Sequence, residues 1–394
     1  MYTESLVNYG KVRSEIRDLF EYGMKRKAEI GAENVYDFSI GNPSVPAPAC
    51  VDETIKELVN DFDSVALHGY TSAQGDPVVR KTIADYVNER FGAGISADNI
   101  YMTCGAAASL TIVLNAILQQ GDECIAIKPY FPEYRVFLDR TGAKLVEVDP
   151  EDKTLQIDIE NMKAAITNKT KAVIINSPNN PSGVVYKKEN IEALCQLLNE
   201  KEKEYGHPIF IITDEPYREL VYDDIEVPYM INYYDNVFVC YSYSKALSLP
   251  GERIGYIIVS PKMADYADAY AAVCGSGRAL GYVCAPALWQ RVIAKCIDQT
   301  ADTSIYKKNR DLLYNELTNM GFECVYPDGA FYLFVKALET DSRAFSEKAK
   351  KHELLLVPAD SFGSPGYVRV SYCVNTKQIE DALPAFKALA EEYR

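Results

Sequence analysis

Apolar residues near the start of the chain, Ile16, Leu19, Phe20 and Met24, recur at helical spacing and predict a helix. The run VYDFSIG that follows reads as a buried strand entering a Gly-Asn-Pro turn. From there the pattern alternates. Helical segments such as DPVVRKTIADYVNERF and AASLTIVLNAIL are interleaved with short apolar runs: ECIAIK, KLVEVD, KAVIINS, IFIITDE, VFVCYSY and RIGYIIVS. Such alternation predicts an α/β fold, with a mostly parallel sheet flanked by helices on both faces. After about residue 285 the texture changes. Long helices, ALWQRVIAKCIDQ and SIYKKNRDLLYNELTNMG, lead to the strands FECVYP, AFYLFVK, LLLVPAD and YVRVSYC and a closing helix from about Thr376. That part reads as a smaller α+β domain. The expected division is a large domain over residues 45–284 and a small one built from residues 1–44 and 285–394.

A length of 394 residues suits two packed domains. The net charge of −15 repels phosphate backbones, so nucleic acid is not an expected partner. No apolar run approaches the ~20 residues of a membrane span, and the opening segment lacks a signal peptide's apolar centre. The expected location is the cytoplasm, away from membranes. Ten scattered cysteines with no C-x-x-C pair fit buried thiols in a reducing compartment. The histidines, His68, His207 and His352, lack ligand-like neighbours, and no metal site is expected.

Three of the apolar runs end in polar clusters: Ser177-Pro178-Asn179-Asn180, Asp214-Glu215-Pro216-Tyr217 and Ser242-Tyr243-Ser244-Lys245. Ligands of open α/β sheets bind beyond the carboxyl ends of the strands, so these clusters are placed to converge on one ligand. Lys245 stands in SYSKALSLPGERIGY, with two serines upstream and Arg253 eight residues on. A lysine after a strand is ordinarily a surface residue. Desolvated, its amine falls below the usual ~10.4 and can form a Schiff base. Ser242, Ser244 and Arg253 would supply donors for a phosphate.

This S-x-S-K with its following arginine resembles the cofactor-lysine motif of the class I/II aminotransferases, fold type I pyridoxal-phosphate (PLP) enzymes similar to aspartate aminotransferase. The resemblance runs from Ile40 to Tyr372 through a series of motifs in the family's order. It implies that the large domain binds pyridoxal 5'-phosphate as a Schiff base on Lys245. It further implies ping-pong transfer of an amino group from an L-amino acid to a 2-oxo acid, in a homodimer with shared active sites.

By the same resemblance, Asp214, in TDEPYREL, pairs with the cofactor's pyridine nitrogen and keeps it protonated, so that the ring can accept electrons. Tyr217 and Asn180, the latter in NNPSG, donate to the ring's phenolic oxygen. Gly105, Ala106 and Ala107 occupy the phosphate cup at a helix start, where free N–H groups and the helix dipole favour an anion. Many relatives carry a hydroxyl or charged side chain at the third of these positions. Ala107 does not, so phosphate binding leans on Ser242, Ser244 and Arg253.

Phe131, in KPYFPEYRVF, falls where an aromatic ring covers the cofactor. Arg369, in GYVRVSY, resembles the arginine that clamps the substrate's α-carboxylate, and Gly41 the glycine whose backbone approaches it. Asn180 is expected to help bind substrate as well. Tyr70 resembles a tyrosine that reaches across the dimer interface to the partner's cofactor phosphate. Arg278 lies where some relatives place an arginine for a substrate side-chain carboxylate, also across the interface, although a structural arginine fits that position equally. Tyr282 is a further interface candidate.

A PLP-dependent β-lyase or amino-acid decarboxylase of the same fold would keep Lys245, Asp214 and Arg253. A non-catalytic PLP-binding regulatory module is expected to carry a DNA-binding domain upstream, and about forty residues precede the Gly-Asn-Pro turn. A nucleotide-binding protein would need a phosphate loop of the form G-x-x-x-x-G-K-[ST], which does not occur.

Overall fold

The computed structural model describes residues 2–12 and 14–394. Its larger sheet contains β1 (Ile100–Thr103), β2 (Glu123–Ile127), β3 (Lys144–Val148), β4 (Thr170–Asn176), β5 (Phe210–Asp214), β6 (Val237–Ser242) and β7 (Gly255–Val259). Their spatial order is β1-β7-β6-β5-β4-β2-β3. Neighbours from β6 through β3 pair in parallel, while β7 runs antiparallel to both β1 and β6. The six expected runs all form strands. β1 was not among them: its partner β7 lies some 150 residues further along the chain, and four mixed residues carry little periodicity.

Burial on both faces explains why every run but the edge run KLVEVD is almost continuously apolar. Ile125, Val173, Ile211 and Val239 enter one core, and Cys124, Ala172, Ile212 and Phe238 enter the other, with the period of two a strand requires. Helices Ala106–Ile117 and Tyr266–Leu280 cover the second face, and Pro77–Phe91 and Lys188–Tyr205 the first. Val292 and Ile293 of helix Ala287–Lys295, which sequence assigns to the smaller domain, are buried in the first of these cores.

The smaller sheet is antiparallel, with β8 (Cys324–Val325), β9 (Tyr332–Lys336), β10 (Val357–Pro358) and β11 (Tyr367–Ser371) in the order β10-β11-β9-β8. The segment LLLVPAD, expected as one strand, divides at Leu356. Leu354–Leu355 pairs with Tyr36–Asp37, the only strand residues of VYDFSIG, while Val357–Pro358 joins the edge of the small sheet. Pro358 has no amide to donate, which suits an edge position. Among the described residues no helix is long and apolar enough to cross a membrane.

Candidate active site

The carboxyl ends of β5 and β6 face the small sheet across a cavity of about 280 Å³. Asp214, the last residue of β5, is buried there. Its Oδ2 accepts a hydrogen bond from Tyr134 at 2.7 Å, and its Oδ1 has no partner. Burial pushes the carboxyl up to about 7, against the pull of the Tyr134 hydroxyl. Asn176 at the end of β4 steadies two residues at once. Its Nδ2 donates to the Asp214 carbonyl at 2.8 Å, and its Oδ1 accepts from the Asn180 amide at 2.7 Å.

β6 ends at Ser242, which caps the short helix Tyr243–Ala246 by accepting from the Ser244 amide at 3.2 Å. The hydroxyls of Ser242 and Ser244 lie 2.7 Å apart. The cap turns Lys245 into the cavity, where Nζ donates to the Gly41 carbonyl at 2.7 Å. Burial pulls this amine down to about 8, and the Arg253 and Arg369 guanidiniums add to the fall.

Arg253 has a φ of 54°, a left-handed conformation uncommon outside glycine that concentrates at functional sites. Its guanidinium lies against Gly105, where an added Cβ would come within 3.1 Å of Nη2. Gly105 is the N-cap of helix Ala106–Ile117 and offers no capping side chain, so the first-turn amides of Ala106 and Ala107 face the cavity without a side-chain acceptor. Phe131 also lines the cavity, edge-on to Tyr134 with centroids 5.8 Å apart.

The small sheet supplies the opposite wall. Arg369 of β11 is buried, with Val368 and Val370 in the core on the other side of the strand. It donates to the Ser39 carbonyl at 2.6 Å and to Asn180 Oδ1 at 3.1 Å, and its Nε has no partner. Tyr332 of β9 meets the Tyr217 hydroxyl at 2.8 Å.

The cavity therefore brings together Gly41, Ala106, Ala107, Phe131, Asn180, Asp214, Tyr217, Ser242, Ser244, Lys245, Arg253 and Arg369, with Gly105 against Arg253. Tyr70, Arg278 and Tyr282 lie outside it. Tyr70 is 97% exposed, and Arg278 is exposed on the last turn of its helix. Sequence reasoning passed over Tyr134, Asn176, Tyr332 and Ile16, the last of which lines the cavity from the N-terminal helix. Only the place of Tyr134, three residues after Phe131 at the start of helix Glu133–Asp139, hinted at any of them.

These groups fit PLP. The orphan Oδ1 of Asp214 requires a donor, and a pyridinium N–H is one. The softened Lys245 amine suits an aldehyde, and the helix start with Ser242, Ser244 and Arg253 suits a phosphate. Fold and cavity together define an enzyme of the PLP-dependent transferase class.

The sequence profile of the family described as Aminotransferase class I and II matches residues 33–386. The chain belongs to that family and is a PLP-dependent aminotransferase, moving an amino group between an amino acid and a 2-oxo acid. It is 30% identical over 390 residues to a probable aspartate aminotransferase of Methanocaldococcus jannaschii, covering 96% of this chain and 97% of that one. It is 29% identical to an aromatic-amino-acid aminotransferase of Thermococcus litoralis, covering 96% of each. An aminotransferase structure from Eubacterium rectale superposes with a TM-score of 0.98 at 59% identity, over 100% of this chain and 99% of that one.

Proposed function

We propose that Lys245 carries PLP as a Schiff base and moves the substrate's Cα proton, while Asp214 holds the ring nitrogen protonated. The supporting observation is the buried, partnerless Oδ1 of Asp214 in the same cavity as the Lys245 amine. When bound, PLP supplies a ring that takes up the electron pair of the broken Cα–H bond. PLP bound here would meet a Lys245 amine that burial softens to about 8, so that more of it is neutral at pH 7 than of an ordinary lysine. Lys245 Nζ would serve as the general base that takes up and holds the Cα proton.

Asp214 contributes its charge. A cation beside that carboxylate draws its proton affinity back down from 7, so the pair is ionised during turnover. Tyr217 and Asn180 donate to the phenolic oxygen. The amides of Gly105, Ala106 and Ala107 with Ser242, Ser244 and Arg253 hold the phosphate, and Phe131 covers the ring. Arg369 turns Nε and an Nη towards the α-carboxylate and thereby fixes which α-bond stands perpendicular to the ring.

The reading extends to a homodimer. Tyr70, Leu280, Tyr282 and Val283 are exposed, and their segments meet where Cys284 bonds to the Thr71 and Ala73 carbonyls. A second copy covering this face would bury these exposed apolar side chains. Ten free thiols accord with a cytoplasmic location. The division into a cofactor-binding domain over 45–284 and a smaller domain from 1–44 and 285–394 belongs to the same proposal.

Incubation of purified protein with PLP, 2-oxoglutarate and a panel of L-amino acids tests it. Glutamate formation with parallel double-reciprocal plots is expected. Ammonia and pyruvate without glutamate would contradict it.

A further inference from the structure

A tyrosine hydroxyl has one proton to donate and lone pairs to accept. In the 2.8 Å contact between Tyr217 and Tyr332, only one of them donates. For Tyr217 to direct its proton at the cofactor's phenolic oxygen, Tyr332 must be the donor of the pair. We propose that Tyr332 is a positioning residue that aims the Tyr217 proton at the cofactor and ties it to the carboxylate-binding arginine. The inference rests on the cofactor reading above.

Packing encloses the Tyr332 ring. It is 2% exposed; the Arg369 guanidinium stands 4.6 Å from its centroid, and the Tyr217 ring meets it edge-on at 5.7 Å. A Cβ added to Gly41 would lie 2.0 Å from the Tyr332 hydroxyl, so that oxygen is pressed against the backbone whose carbonyl holds Lys245. Tyr332 thus touches Tyr217, Arg369 and Gly41 together.

The direction of the bond follows from charge. Burial raises both hydroxyls and the Arg369 charge draws both down, but that guanidinium stands over the Tyr332 ring itself, 4.6 Å from its centroid, whereas Tyr217 lies beside the Asp214 carboxyl. A cation over the ring draws electrons from its hydroxyl, which makes Tyr332 the better donor of the pair. A hydroxyl that accepts a hydrogen bond is polarised into a stronger donor itself, so Tyr217 is sharpened towards the phenolic oxygen. Stabilising negative charge on that oxygen lowers the proton affinity of the cofactor–Lys245 nitrogen beside it.

The test is the pH titration of visible absorbance in the substrate-free holoenzyme. Tyr332→Phe, which keeps the ring, should raise the midpoint by about half a pH unit. Tyr217→Phe should raise it further, and the double variant should match Tyr217→Phe alone, because Tyr332 acts through Tyr217. Fluorotyrosine at position 332, a stronger donor of nearly the same shape, should lower the midpoint and covers the case in which Tyr332→Phe does not load cofactor. An unmoved midpoint in both substituted proteins, or a double variant that sums the single shifts, would overturn the inference while leaving the cofactor reading intact. A wild-type protein with no titrating band would overturn both.

Discussion

The two ends of the cofactor cavity are built differently. At the pyridine end, Asp214 is fixed through Tyr134 and Asn176, Tyr217 is fixed through Tyr332, and every group is buried. One acceptor, Oδ1 of Asp214, is left over. At the phosphate end the donors are occupied only with one another or with nearby backbone. Ser242 bonds Ser244, Arg253 bonds the Pro250 carbonyl, and the helix start has no capping side chain. The first arrangement is held by buried partners before any ligand arrives, and in the proposed reading it sets the electronics of the ring. The second consists of donors bonded only locally, and in the proposed reading it sets retention. Pre-formed electrostatics serve the reaction, whereas adaptable contacts serve binding.

Substitutions at the two ends should therefore separate rate from retention. Asp214→Ala, at the rigid end, should lower kcat on the order of 10³-fold even when PLP is supplied in excess, as stopped-flow half-reactions would show. A kcat within a few-fold of wild type would erase the distinction. Arg253→Ala, at the adaptable end, removes a charged donor and should weaken PLP binding by roughly 10- to 100-fold in equilibrium dialysis, with kcat at saturating cofactor nearly kept. The smallest effect is a gain. Ala107→Ser adds a hydroxyl to the exposed first turn and should tighten PLP binding by about two- to tenfold, with no change in the visible spectrum.

The same contrast governed what could be read from the chain. Strands β2 and β4 to β7 were legible because both of their faces are buried, the edge strand β3 because Leu145, Val146 and Val148 are apolar, and the polar strand ends flagged Asn180, Asp214 and Lys245. Tyr134 and Tyr332 were not, because a tyrosine in a buried helix or strand looks like core until its hydroxyl's partner is known, and those partners are 80 and 115 residues away. Asn176 passed as the tail of an apolar run. LLLVPAD passed as one strand because periodicity does not show a chain changing sheets at Leu356. Tyr70 and Arg278 were named through resemblance, and within one subunit they stand apart from the cavity.

In the proposed reading, the groups at both ends serve one bond, between the amine at position 245 and the cofactor. Reduction of the yellow holoenzyme with borohydride, followed by proteolysis and mass spectrometry, examines that bond directly. The peptide containing Lys245 should carry a single pyridoxyl-phosphate mass, with no other lysine modified to a comparable extent. Label on a different lysine, or none on a protein that has bound PLP, would contradict the account.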